Sequence, residues 1–356
     1  MFKRSFSSLI CAVLCAALVL GCAVFASAED AAVTGTFTIC NYNVAGLPSL
    51  SDSSAKAAKE KRLGATVAAD GWDIVTVQED FGYSDDFGAG LSYAYRTRGA
   101  QNAVFGDGLN VFSKRPVYNV ARQAWRTMGG RIWEGDIVSR KGIMSCVAEI
   151  GDGVYADVFV LHADAFDGEQ SREARHDNYM QACELINSDK SGRPIIVLGD
   201  FNCSFHFRNE HLYEDMCAST GLKAAWIEVE NGGSYTDFSS WSGDYWGHWD
   251  SVEHILYKDG DNVKLTPTAH SYKYYVDSDG SSFSDHAAAI ATFTYTATGT
   301  SDASGLVPAG RHRPNIIEDL RSVFSRLAYV FSHWDDFILM IKYRDNTEYL
   351  YTNYPS

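Results

Sequence analysis

Residues 195–202 read IIVLGDFN, four apolar strand formers followed by an acid and an amide two positions apart. Ile195, Ile196, Val197 and Leu198 predict a short buried strand rich in β-branched residues. Gly199 is expected to permit a sharp exit that leaves Asp200 and Asn202 on one side. A carboxylate beside an amide suits a hard cation or a phosphoryl oxygen. The same two residue types initiate turns, so the octapeptide alone also fits an ordinary strand end.

Working outward, four more segments place polar groups at the end or start of an apolar run. Residues 38–47, TICNYNVAGL, carry Asn43, and residues 73–80, DIVTVQED, deliver Gln78 and Glu79. Residues 158–164, VFVLHAD, carry His162, and Ser284, Asp285 and His286 precede the apolar run at 287–296. Strands are predicted over 36–44, 73–79, 109–113, 143–150, 154–163, 195–200, 252–257 and 287–296. Helices are predicted over 54–69, 170–188 and 209–219; in the second, Tyr179, Ala182, Cys183 and Ile186 form one apolar stripe. Many strands with few helices imply an α/β protein with two sheets packed face to face and helices outside.

These five motifs, in this order, resemble the endonuclease/exonuclease/phosphatase superfamily, which includes deoxyribonuclease I, neutral sphingomyelinases and inositol polyphosphate phosphatases. DGLNVFSKRP at 107–116, KGIMSCV at 141–147 and LHADA at 161–165 are similar to the sphingomyelinase-like branch. The resemblance implies a four-layer α/β sandwich of two mostly antiparallel sheets and metal-dependent cleavage of a phosphate ester. It assigns Glu79 as the main Mg²⁺ ligand, with Asn43 helping to hold metal or phosphate and Asp285 available to the metal. Asp200 and Asn202 would orient the nucleophile and a phosphoryl oxygen, His286 would activate water, and His162 would bind the phosphate. Mn²⁺ or Ca²⁺ are alternatives to Mg²⁺.

General chemistry asks for the same groups. Mg²⁺ takes oxygen ligands and usually one or two protein carboxylates, and an imidazole titrating near neutrality suits proton abstraction from water. Taken singly, either histidine reads as a structural residue and Glu79 as a solvated loop acid. One position departs from the family's pattern: VEHILY at 252–257 offers Glu253 where the family has an aspartate. Glu253 is expected to orient His162 or Asn202, or to disturb the site through its extra methylene; Asp250 is a substitute.

Residues 1–28 read as a secretory signal peptide, with Lys3 and Arg4 before an apolar stretch and Ala26 and Ala28 before Glu29. Leu18–Cys22 also resembles a lipoprotein signal, making lipidation at Cys22 an alternative to cleavage. Export to the medium or cell envelope is therefore expected. Losing Lys3 and Arg4 takes the formal charge from −15 to −17, which disfavours nucleic acid as a partner and favours solubility. Cleavage leaves Cys40, Cys146, Cys183, Cys203 and Cys217, an odd number that reads chiefly as small buried apolar residues; Cys203 and Cys217 are near enough in sequence to close a short disulfide loop.

Residues 33–296 read as one catalytic domain, 297–310 (ATGTSDASGLVPAG) as a linker, and 311–356 as an amphipathic helical tail. In the tail, Ile317, Leu320, Phe324, Leu327, Ala328 and Phe331 share a helix face, read as docked on the main domain in preference to a membrane or partner. Phe238, Trp241, Tyr245, Trp246 and Trp249 crowd one loop, which suits either packing or peripheral contact with a membrane surface and its choline headgroups. The function expected is an exported phosphodiesterase acting on a phospholipid headgroup, sphingomyelin first. A secreted nuclease or phosphomonoesterase and a non-catalytic envelope-binding module on a degenerate hydrolase scaffold are the alternatives.

Overall fold

A computed structural model describes residues 32–47, 52–97, 106–134, 136, 139–204, 212–230, 232–234, 251–299, 303–310, 316–343 and 347–354. The signal segment, the aromatic loop at 235–249 and Asp250 lie outside the described residues.

Two mixed sheets of six strands form the centre. The strands in chain order are β1 (Val33–Asn43), β2 (Ile74–Gln78), β3 (Tyr95–Arg96), β4 (Asn110–Ser113), β5 (Val117–Ala124), β6 (Gly142–Gly151), β7 (Val154–His162), β8 (Ile195–Asp200), β9 (Lys223–Ala224), β10 (Glu253–Lys258), β11 (Val263–Lys273) and β12 (Ala288–Ala297). One sheet runs β11-β12-β1-β2-β4-β3 and the other β5-β6-β7-β8-β10-β9. Each has a single parallel neighbour pair, β1 with β2 and β7 with β8; the other pairs are antiparallel.

The strand alternation explains the layering. In IIVLGD, Ile196 and Leu198 point between the sheets, where they meet Ile39, Val158, Val160, Ile255 and Phe293. Ile195 and Val197 point the other way, onto helix α3 (Glu169–Ser188), through Tyr179, Ala182, Cys183 and Ile186. Helices α1 (Ser53–Ala68) and α2 (Ser84–Leu91) cover the outer face of the first sheet through Leu63, Val67 and Phe87. A strand buried on both faces reads as a continuous apolar run, as Ile195–Leu198 do before Gly199 and Asp200.

Several expectations need correction. Gly199 does not make the exit. It sits inside β8, where an added Cβ would lie 2.0 Å from the Leu161 carbonyl oxygen, so it serves close approach to β7. The turn falls instead at Asn202, whose φ is +51°. The predicted helix at 209–219 is present over its described part, where Tyr213–Ala218 winds as a π-helix in place of the expected α-helix. The five cysteines outside the signal segment are buried and form no disulfide, so Cys203 and Cys217 are not bridged to each other.

β5, β11 and α2 escaped notice. β11 is an edge strand carrying Pro267 with a register break beside it, and β5 is an edge strand with its own irregularity between Tyr118 and Ala121. Both are partly exposed, so neither shows an apolar run. α2, SDDFGAGL, holds two glycines in eight residues, which hides its helical pattern.

Beyond β12, residues 303–310 run along β5: the Asn119 amide donates to the Val307 carbonyl (2.9 Å) and the Ala309 amide to that of Val117 (2.8 Å). Three helices close the chain, a short α4 (Ala225–Glu230) having come before β10; they are α5 (Ile316–Ser332), α6 (Trp334–Lys342) and α7 (Thr347–Asn353).

Candidate active site

Register brings the motifs together. β1 and β2 end side by side, Asn43 opposite Gln78, and β7 and β8 do so with His162 opposite Asp200. β10 runs antiparallel to β8 with Glu253 opposite Asp200, so β10 begins where β8 ends. β12 starts beside Asn41 of β1, which delivers the preceding His286 to the same edge.

Asn43 joins the two sheets. Its fully buried Nδ2 donates to Glu79 Oε1 and to Asp200 Oδ2, both at 3.0 Å, while its Oδ1 accepts from the Ala45 amide at 3.0 Å. Glu79 has a left-handed backbone (φ +57°), a conformation costly for a side-chain-bearing residue. Gly46 passes so close that a Cβ there would lie 2.4 Å from the Glu79 carbonyl oxygen. Asp200 is buried and accepts from the Asn202 amide (2.9 Å), and Asn202 Nδ2 donates to the Ala163 carbonyl (3.0 Å).

Both histidines flank Asp200. His162 Nε2 lies 3.4 Å from Asp200 Oδ2, and its buried Nδ1 has no hydrogen-bond partner. His286 Nδ1 makes a short contact with Glu253 Oε1 and lies 3.9 Å from Asp200 Oδ2. Glu253 is in turn held by the Ser251 hydroxyl at 2.9 Å. The glutamate thus reaches His286, not His162 or Asn202 as expected. The reason is the register: Glu253 starts β10 beside Asp200 and faces the residues entering β12. Asp285 is largely exposed, with its Oδ1 4.0 Å from His286 Nε2.

A half-buried cation that sequence reasoning passed over stands behind these groups. Lys141 opens the quoted KGIMSCV segment; its Nζ donates to the Ala163 carbonyl (3.2 Å) and pairs closely with Asp136. Asp164 is buried beside it, with Oδ2 accepting from the Gly129 amide (2.9 Å). No pattern of spacing marked Lys141, because its partner Asp136 sits in a loop and becomes a neighbour only through folding.

Burial and charge set opposed proton affinities. Burial raises the Glu79 and Asp200 carboxyls above their usual range, against the pull of Asn43, Lys141 and His286. Burial, with Asp136 nearby, lifts Asp164 to about 8. Burial also opposes charge on His286, yet Glu253, Asp200 and Asp285 outweigh it and push its pKa up to about 10. His162 goes the other way, driven well below its usual value by burial and by Lys141 and His286. One imidazole is therefore held ready to carry a proton and the other is kept neutral.

The donor set fits a hard divalent cation. Glu79 and Asp200 supply carboxylate oxygens whose burial is relieved by a positive charge, and the Asn43 amide spans them. Asp200, Glu253 and His286 also bring one ligand atom each within 4.8 Å of one another. There, however, the His286 nitrogen is already engaged by Glu253, so Glu79 with Asp200 is the better seat.

Sequence comparison agrees with this geometry. The profile of the Endonuclease/Exonuclease/phosphatase family matches residues 40–286, from β1 through the Asp-His motif. The chain belongs to this family. A sphingomyelinase of Mycobacterium tuberculosis (strain ATCC 25618 / H37Rv) is 26% identical over 276 residues, covering 74% of this chain and 54% of the relative. The chain thus spans about half the length of the curated relatives it matches. Among solved structures, a mutant beta toxin from Staphylococcus aureus with bound magnesium ions superposes with a TM-score of 0.50 at 15% identity, covering 72% of this chain and 99% of that one. D. rerio TDP2 complexed with a single-strand DNA product gives 0.52 at 16% identity, covering 73% and 99%. At such identities the two likenesses establish the shared fold.

Proposed function

We propose that the protein is an exported, metal-dependent phosphodiesterase that hydrolyses a phospholipid headgroup ester, with sphingomyelin as substrate. The observation that carries the reaction class is the convergence of Asn43, Glu79, His162, Asp200, Asn202, Glu253 and His286 at the joined sheet ends. The sphingomyelinase relatives support the choice of lipid, and the magnesium in the beta toxin neighbour supports the choice of metal. The acidic composition weighs against a polyanionic nucleic acid.

Glu79 and Asp200, with Asn43, would hold the cation, which neutralises charge developing on the phosphoryl oxygens and lowers the proton affinity of nearby His286. Glu253 fixes the His286 ring through Nδ1, which leaves Nε2 to take a proton from water. The water oxygen bonds to phosphorus, the bond from phosphorus to the lipid oxygen breaks, and the leaving oxygen takes up a proton to give the free lipid alcohol. Neutral His162 and the Asn202 amide orient the phosphoryl group. Asp285, exposed beside His286 Nε2, adds negative potential at the mouth.

The test is a substrate panel of sphingomyelin vesicles, phosphatidylcholine vesicles, a phosphomonoester and plasmid DNA, with EDTA and with Mg²⁺ restored. Release of phosphocholine from sphingomyelin that EDTA abolishes and Mg²⁺ restores is the expected result. Cleavage of DNA alone would replace the lipid reading with the nuclease, and unchanged activity in His286→Ala would point to the non-catalytic scaffold.

A further inference from the structure

Helices α5 and α6 dock through polar side chains. The Tyr329 hydroxyl donates to the Gly130 carbonyl, and Arg131 Nη1 donates to Asp336 Oδ1 at 3.0 Å. Arg326 is buried and lines a cavity with Asp136, Lys141 and Asp164. The apolar stripe expected to face the domain faces water. Leu320, Phe324, Leu327 and Phe331 are 50%, 65%, 46% and 69% exposed, and Trp334, Ile338 and Ile341 of α6 are 48%, 48% and 50% exposed. Phe331 and Trp334 stack across the helix break (ring centroids 6.2 Å, 13° between planes), so the two stripes form one ridge. A monomer rarely leaves so many large side chains together in water, and such a patch marks a contact surface.

Charge selects the occupant. The chain carries −15, but residues 311–356 hold six Lys and Arg against six Asp and Glu. Arg321 is exposed at the start of the ridge, on the wall of a cavity of about 270 Å³ beside α5, and Lys342 is exposed at its far end; Arg126, on the same cavity, is paired with Glu184, and Asp335 is an exposed acid next to Trp334. A second copy packed about a two-fold axis would bring these cations together, whereas lipid phosphates complement them. We propose that this ridge is a membrane-docking face, its rings entering the headgroup and acyl boundary of a phospholipid bilayer while Arg321 and Lys342 meet lipid phosphates. Arg326 shares a cavity wall with Lys141 and Asp164, and Trp125 Nε1 donates to the His162 carbonyl at 2.6 Å. Docking therefore sets the bilayer beside the catalytic edge. The proposal does not rest on the identity of the substrate.

The full chain is mixed with phosphatidylcholine vesicles, with or without phosphatidylserine, carrying brominated acyl chains. Tryptophan quenching in wild type is compared with that in Trp334→Phe. The difference should show Trp334 quenched, and Phe324→Ser/Phe331→Ser should weaken vesicle partitioning about 10-fold or more. Omitting phosphatidylserine or raising salt should weaken it several-fold. The double variant should hydrolyse soluble bis(4-nitrophenyl) phosphate at about the wild-type rate, since no substituted residue touches the site. Equal quenching in wild type and Trp334→Phe would overturn the proposal, even if residues 1–28 held the chain on the vesicle. So would a wild-type dimer in solution that the double variant dissolves, because the occupant would then be a second copy.

Discussion

At the joined sheet ends, Asp200, Glu253, Asp164, Asp136 and His162 are withdrawn from water; along α5 and α6, seven large apolar side chains are left in it. Both regions run against the usual sorting of side chains, in opposite directions. The first is tolerable because nearly every buried charge has a partner, and the partners come from different strands, so the cluster exists only when both sheets are assembled. The second is tolerable because polar anchors at Tyr329, Arg326 and Asp336 hold the helices in place. Local departures from stable packing concentrate where a molecule binds something.

The contrast makes graded predictions. Lys141→Met leaves Asp136 buried without its counter-charge and should lower unfolding stability by about 3–5 kcal/mol in urea titrations. Burial holds His254, on β10 opposite Gly199 of β8, down at about 4, with its Nε2 2.8 Å from the Cys203 carbonyl oxygen. An unfolded histidine titrates near 6.5, so the neutral folded form is fully favoured above that pH. Stability is then lost as pH falls from about 6.5 towards 4, by about 3 kcal/mol. Urea unfolding at pH 7 and pH 4.5 checks this, and His254→Gln should lose less across the interval.

Glu253→Gln should reduce kcat/KM about 10- to 100-fold. Because Glu253 raises the proton affinity of His286, the titration of His286 in the pH–rate profile should move downward in that variant, and Glu253→Asp should recover part of the activity. An unmoved profile would reduce Glu253 to a packing role. On the ridge, Phe324→Ser should change stability by less than about 0.5 kcal/mol in the same urea titration. A large loss there would mean that the ridge is buried in solution and would erase the difference between the two regions.

Much of the site was legible because its residues end apolar runs: Asn43, Glu79, His162, Asp200 and His286 each mark the start or end of a core strand. A buried two-faced strand leaves a strong signal, and its polar terminus stands out against it. Lys141 with Asp136, and the pairing of Glu253 with His286, were not legible, since each depends on contacts between separate elements. The edge strands β5 and β11 were hidden by their partial exposure and breaks in register. The tail shows the reverse limit. Helical periodicity revealed an amphipathic face at Leu320, Phe324, Leu327 and Phe331, but periodicity does not say which face turns inward, and here three polar contacts decide it.

Hydrolysis of bis(4-nitrophenyl) phosphate in Mg²⁺ by wild type and His286→Ala, both shown folded by matching thermal unfolding, separates a working site from a buried polar network. Removing the base should lower kcat/KM by about 10³-fold, within the range for a positioned general base. A His286→Ala rate within about threefold of wild type would contradict the assignment of proton transfer to this residue, because such a ratio is far below what a general base contributes.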